Sequence, residues 1–263
     1  MKTKKNKSNI FNITTFTFVI IFLYIPILLL VIYSFNDSKF ISSWRGFTFK
    51  YYGLLFKNKD IINSFKNTML IAVLSTIFST ILGLVSALAL ENKKFKGAKF
   101  FQGLIFIPLI MPDILMGVSL ALLFSFLKIK MGMLTVLFAH ITFCVSYSII
   151  VIQSRLEGFD YNLIDAAMDL GANKRQIFFK IQLPLLMPGI IAAALLTFTL
   201  SIDDFMITFF TSGRGFNTLP VYVEGAIRRG TITTINSLST LMIGLALFFV
   251  VISKRIRKYL FNL

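Results

Sequence analysis

Apolar stretches separated by short polar segments run along this chain, at positions 13–35, 67–90, 101–127, 133–153, 188–210 and 236–252. Each has close to the ~20 residues that an α-helix needs to cross roughly 30 Å of hydrocarbon. The pattern predicts an all-α, polytopic membrane protein of about six transmembrane helices, which puts both termini on one side. The first stretch follows a lysine-rich start, as a secretory signal would. It is too long for a signal core and lacks an A-x-A cleavage site, so it is expected to be the first span. No internal repeat, low-complexity linker or separate soluble domain is evident, and residues 1–263 are expected to form a single transmembrane domain.

Composition agrees with the pattern. Hydrophobic residues make up 56% of the chain and charged residues 14%, against globular norms of about 45–50% and about 25%. Phenylalanine alone occupies 30 positions, a load that a bilayer solvates and a water-soluble fold does not easily hide.

The net charge of +16 sits mostly at the ends of apolar stretches. The clusters are Lys2, Lys4, Lys5 and Lys7; Lys93, Lys94, Lys96 and Lys99; and Lys254, Arg255, Arg257 and Lys258. Nucleic-acid proteins spread such charge over one polar face beside reachable aromatics; flanking clusters are the signature of the positive-inside rule. With the N-terminus inside, inner segments carry 16 Lys and Arg against 11 outside, the latter spread over longer loops. Both termini are therefore expected to be cytoplasmic. In the first outer loop, Trp44, Phe47, Tyr51 and Tyr52 suggest interfacial aromatics or a short helix lying on the membrane. The last outer loop contains a possible short helix at 221–229.

Few residues offer chemistry. Cys144 is the only cysteine and His140 the only histidine, so neither an intrachain disulfide nor a metal site is expected. Cys144 reads as filler, and His140 as a hydrogen-bond partner to a neighbouring helix. No G-x-x-x-x-G-K-[ST], H-E-x-x-H or G-x-S-x-G motif is present, so the chain carries no recognisable catalytic or ATP-binding apparatus and no cofactor is expected.

Asp113, Asp203 and Asp204 fall inside apolar stretches, where a carboxylate costs about 2.5–3.5 kcal/mol and usually faces a partner or a wet path. Asp113 follows Pro112, with Pro108 one turn earlier, so that helix is expected to be kinked or broken. Asp113 then caps its second half, lines a pathway, or does both. On a continuous helix Asp203 and Asp204 point about 100° apart; one is expected to line a pathway and the other to bond a neighbouring helix. Phe205, Phe209 and Phe210 lie nearby, with packing or lipid contact the favoured role over cation–π attraction.

The strongest local signal lies in the inner loop, about 154–187. It contains Asp165-Ala166-Ala167, then Gly171, then Ile181-x-Leu183-Pro184. Physically this predicts a short helix, a glycine turn at positive φ, and a second helix with Ile177, Phe178 and Ile181 on its apolar face. Pro184 and Pro188 are expected to stop that helix, and Ala166 and Ala167 to leave the first helix shallow enough for close approach.

This spacing resembles the "EAA" loop of bacterial binding-protein-dependent ABC importer permeases, with Asp165 where that family usually has Glu. Further segments are similar to its spermidine/putrescine branch: Asn36-Asp37-Ser38, Trp44-Arg45-Gly46, Met111-Pro112-Asp113, Phe138-Ala139-His140 and Ser201-Ile202-Asp203-Asp204. The resemblance implies a type I importer permease in the bacterial cytoplasmic membrane. Its coupling helix would dock on an ATPase through Asp165, Ala166, Ala167, Gly171, Ile181, Leu183 and Pro184. Implied partners are a second permease of the PotB type, an ATP-binding dimer of the PotA type and an extracytoplasmic polyamine-binding protein of the PotD type, besides membrane lipid. Asp113, Asp203 and Asp204 are the candidate pathway residues. The competing readings are the same permease class with another small solute as cargo, or a stand-alone secondary transporter.

Overall fold

A computed structural model describes residues 2–38, 43–91, 97–230 and 232–261, with side chains placed for 12–38, 43–91, 97–230 and 233–247. Apart from Lys99, the terminal and inner basic clusters thus lie outside the described side chains. The helices are α1 (Lys2–Tyr33), α2 (Lys50–Lys57), α3 (Lys59–Glu91), α4 (Ala98–Ile110), α5 (Asp113–Phe126) and α6 (Met133–Leu156). They continue with α7 (Asn162–Asp169), α8 (Lys174–Ile177), a π-helical turn (Phe178–Gln182), α9 (Leu183–Asp203), α10 (Met206–Thr211), α11 (Leu219–Arg228) and α12 (Ile232–Phe261). Extended pairing among the described residues is confined to one bridge, Asn36 to Phe47.

By length and composition four of the described helical stretches can cross a membrane, or five if the bent pair α4–α5 counts as one span. The expected sixth, 236–252, falls in α12, whose described side chains end at Leu247. Two expected spans are not continuous. The stretch at 101–127 bends by 113° between α4 and α5. Pro112 forces Met111 into the extended region (φ −71°, ψ 129°). The stretch at 188–210 breaks at Asp204–Phe205, between α9 and α10.

The chain forms two compact units, one of residues 1–62 and 223–263, the other of residues 63–222. In the first, α12 packs against α1 and α2. Ser237 donates to the Ser34 carbonyl at 3.0 Å, Ser34 and Tyr52 share a hydrogen bond of 2.7 Å, and Thr233 donates to the carbonyl of Ser38. The expected aromatic helix exists as α2, preceded by a stack in which Phe35 meets Phe47, Phe49 and Tyr52 at centroid distances of 5.1–5.4 Å.

The second unit is built around α6. One face of α6 packs with α3 and α9 through Ala87, Leu90, Ile149, Ile152, Leu156, Leu186 and Ala193. Another meets α5 and α10 through Met116, Phe124, Ala139, Phe143, Cys144 and Ile207. Cys144 is accordingly a buried packing residue.

Lipid offers no hydrophobic drive between helices, so close approach at small residues carries the packing. A Cβ on Gly83 would lie 2.2 Å from Ser148 Oγ, and one on Gly189 would lie 2.8 Å from Arg155 Cβ. Ser64, Thr68, Ser75 and Ser79 of α3 are all buried; their spacing of four, seven and four residues puts them on one helix face.

Substituting Gly83→Ala should cost about 1–3 kcal/mol by overpacking. The readout is a lower thermal midpoint of the purified protein in detergent. Gly103→Ala, where a Cβ meets nothing within 4 Å, should leave the midpoint unchanged. Equal midpoints for both variants would contradict the close α3–α6 approach.

Candidate functional site

The inner loop forms in three steps. Tyr161 starts α7, accepting the N–H of Ile164 at 2.9 Å. Burial and the neighbouring Glu91 carboxylate push its phenol up to about 12. Next, α7 ends at Gly171, whose φ of +82° is a left-handed conformation that glycine adopts without penalty. Asn173 then opens α8 with a reciprocal capping box: its Oδ1 accepts from Gln176 N–H at 2.9 Å, and Gln176 Oε1 accepts from Asn173 N–H at 2.9 Å.

On this loop Asp165 and Ala166 are exposed while Ala167 is buried, so the shallow surface expected of the pair belongs to Ala166 alone. Leu163, Met168 and Leu170 are also exposed, Leu170 at 88%, which leaves large apolar side chains uncovered on α7 and at its C-cap. Ile177 is buried, Ile181 and Leu183 are half-buried, and Pro184 is exposed.

The expected proline stop does not occur. Pro184 is the second residue of α9 and Pro188 lies inside it. The π-turn Phe178–Gln182 precedes Pro184. The first turn of a helix has no use for the missing N–H, and the widened turn relieves the clash of the proline ring with the preceding carbonyls. The loop and α9 therefore form one helical stretch from Lys174 to Asp203. Arg155, near the end of α6, lies on Gly189 and donates from Nε to the Leu185 carbonyl at 3.3 Å.

At the other end of α9, the break separates the two neighbouring carboxylates. Asp203 is the last helical residue and is exposed. Asp204 is extended (φ −64°, ψ 124°), and its side chain is only 7% exposed. Its Oδ1 accepts from Ile207 N–H at 3.2 Å, and its Oδ2 from Thr208 N–H and Thr208 Oγ1, both at 2.8 Å. Asp204 thus caps α10 from inside. The 100° offset expected of a continuous helix does not apply, because the backbone leaves the helix between the two residues.

His140 of α6, 1% exposed, joins this cap. Its Nε2 lies 2.8 Å from Thr208 Oγ1 and 3.3 Å from Asp204 Oδ2, and its Nδ1 lies 2.7 Å from Ser201 Oγ. Ser75 of α3 donates to Ser201 Oγ at 2.9 Å. Of these residues the sequence pointed to His140 and Asp204. Ser201 entered only as part of the Ser201-Ile202-Asp203-Asp204 segment, and Ser75 and Thr208 not at all, although Ser75 belongs to the buried polar stripe of α3, a readable sign of a helix interface.

Asp113 opens α5 and is exposed, and its carboxylate makes no hydrogen bond or ion pair among the described residues. One turn later, Gly117 admits α10 to close contact: a Cβ there would lie 3.2 Å from both Ile207 Cα and the Met206 carbonyl. Asp113 and Asp203 thus end two helices that both adjoin α10, while Asp204 is turned inward. Phe205 and Phe209 have ring centroids 5.5 Å apart, and Phe209 and Phe210 5.3 Å. Among the described residues no His, Cys, Asp and Glu cluster suits a metal ion.

This fold is shared with chains of solved ABC transporters. It matches a bacterial transporter that imports the acidic polysaccharide alginate with a TM-score of 0.77 at 19% identity, covering 95% of this chain and 97% of that one. It also matches the MetNI methionine transporter with a TM-score of 0.59 at 16% identity, covering 72% and 91%. The chain belongs to the family of binding-protein-dependent transport system inner membrane components, whose model matches residues 79–261. It is 39% identical to the spermidine/putrescine transport system permease protein PotC of Escherichia coli (strain K12) over 242 residues, 92% of each chain. It is 43% identical to the putrescine transport system permease protein PotI of the same organism over 230 residues, 85% of this chain and 82% of that one.

Asp204→Ala removes the cap and leaves the Ile207 and Thr208 N–H groups without their acceptor, and should cost about 2 kcal/mol. Asp203→Ala, at an exposed helix end, should stay within about 0.5 kcal/mol of the parent. Thermal midpoints of the two purified variants check this, and equal losses would count against the inward placement of Asp204.

Proposed function

We propose that this chain is a transmembrane permease subunit of an ATP-driven importer of polyamines, spermidine or putrescine, in the bacterial cytoplasmic membrane. Its similarity to permeases of that cargo over most of its length carries the reading. The chemistry fits. Polyamines are linear polycations, and a path for them needs spaced negative charge without a deep trap. Asp113 and Asp203 supply two exposed carboxylates at the ends of apolar helices. Asp204 contributes by holding the break that follows Asp203 rather than by meeting the cation.

With both termini cytoplasmic, the loop 154–187 faces the cytoplasm. There Asp165, Ala166 and Gly171 shape the docking helix α7, whose exposed Leu163, Met168 and Leu170 suit an apolar groove on an ATPase subunit. Ala167 and Ile177 are buried side chains of the loop, and Ile181, Leu183 and Pro184 join α8 to α9 without a hinge of coil. A push on α7 is passed across the Gly171 turn to the stretch Lys174–Asp203, and so to its Asp203 end. The remaining partners are a second, PotB-like permease, a PotA-like ATPase dimer and a PotD-like binding protein. In keeping with this, the alginate transporter has also been solved in complex with a substrate-bound periplasmic protein.

Uptake of radiolabelled spermidine and putrescine in a polyamine-auxotrophic host tests the reading, with the chain co-expressed beside its neighbouring transporter genes. Asp165→Lys should abolish ATP-dependent uptake, and Asp203→Asn should lower it about tenfold with assembly intact, as expected for one lost charge contact. Uptake of a different solute that still depends on Asp165 would retain the permease and discard the polyamine. Indifference to Asp165→Lys would overturn the coupling assignment, and indifference to Asp203→Asn the pathway assignment.

A further inference from the structure

The proton arrangement around His140 can be worked out from the donors available. Thr208 has one hydroxyl proton, and it goes to Asp204 Oδ2. Thr208 Oγ1 therefore has only lone pairs to offer His140, and so has the Asp204 carboxylate. Nε2 must carry a proton, which faces Thr208 Oγ1 at 2.8 Å and Asp204 Oδ2 at 3.3 Å. On the other side, Ser75 donates to Ser201, and the Ser201 hydroxyl proton is then free to point at Nδ1, 2.7 Å away. The chain Ser75, Ser201, His140, Thr208, Asp204 is satisfied end to end, and it ties together α3, α9, α6 and α10.

Such a network is an expensive way to fill space. An apolar side chain of similar volume at position 140 would pack as well without desolvating an imidazole. What the imidazole adds is direction. It bonds α9 at Ser201, just before the break, and the cap of α10 just after it. Asp203 stands between those two anchored points, the one residue of the segment 201–204 left fully on the exposed side.

We propose that His140 is a positioning residue for transport: by holding Ser201 on one side of the break and Asp204 on the other, it fixes where the Asp203 carboxylate stands. His140 itself does not meet the cation. This inference rests on the reading of Asp203 as a pathway residue. The clamp extends to α5, because α10 is the helix that Gly117 receives, one turn from Asp113.

The test is a double-mutant cycle in the complete transporter, reconstituted in proteoliposomes and assayed by ATP-dependent uptake of radiolabelled spermidine per assembled complex. His140→Gln keeps a donor where Nε2 stood and should retain uptake within about twofold. His140→Asn keeps only the Ser201 side and should raise KM or lower uptake about tenfold, the effect of one charge-assisted hydrogen bond. In an Asp203→Asn background the same His140→Asn change should cost less than about twofold, since a residue acting through Asp203 has nothing left to position. Should His140→Asn fail to assemble, Thr208→Val cuts the same link and should give the same non-additivity.

A merely structural histidine would multiply its full loss onto Asp203→Asn, and that result would overturn the proposal while leaving the pathway reading intact. Equal behaviour of the Gln and Asn variants would also overturn it. Full uptake by Asp203→Asn alone would instead remove the pathway reading on which the proposal rests.

Discussion

A helix can break in a membrane protein only where the freed backbone groups find new partners, and the break after α9 depends on one carboxylate. Asp204 takes the N–H groups of Ile207 and Thr208, work that carbonyls of the preceding turn do in an unbroken helix. Burying that charge is tolerable because His140 and the Thr208 hydroxyl share it. Without this arrangement α10 would continue α9, and Asp203 would stand elsewhere on the helix surface. The contact of α10 with α5 would also be lost, since α10 is the element that Gly117 accommodates.

The same constraint governs the other irregular points. Between α4 and α5 the Pro112 carbonyl accepts from Leu115 and Met116 at 2.9 and 3.1 Å, so the second helix restarts at once after the bend. Before Pro184 the chain widens into a π-turn instead of stopping, and the helix runs on. At Gly171 a true turn is made, in the loop, closed by the Gly171 N–H on the Met168 carbonyl and the Ala172 N–H on the Ala167 carbonyl, both at 2.9 Å. The rigid connections thus lie between the loop and α9, and the sharp breaks lie at Met111–Pro112 and Asp204–Phe205, each beside an exposed carboxylate. That distribution suits a subunit in which movement of the loop has to reach a pathway.

Small residues make the tight geometry possible. Gly83 against Ser148, Gly117 against α10 and Gly189 against Arg155 bring helices to distances that any Cβ would oppose. The last of these ties α6 to the first turns of α9, on either side of the loop those helices enclose. The two helices are therefore joined by chain and by packing.

Hydropathy alone located the apolar stretches, because about twenty apolar residues in a row have no stable place but lipid or a helix core. The turn of the loop was equally legible, since Gly171 acts within a few residues of itself. What the sequence left open was every feature that needs a distant partner. Pro184 signals a stop unless a π-turn forms, and Asp203 and Asp204 look equivalent until one of them is bonded across helices. His140 read as a hydrogen-bonding residue, but its partners Ser201 and Thr208 lie 61 and 68 positions away. Local patterns decide which segments become helices, since helix formation is a matter of near neighbours. The break before Pro112 was legible for the same reason, since proline acts on its own neighbours, whereas only the tertiary structure decides the break at Asp204, because its energy is set by the groups that packing brings to it.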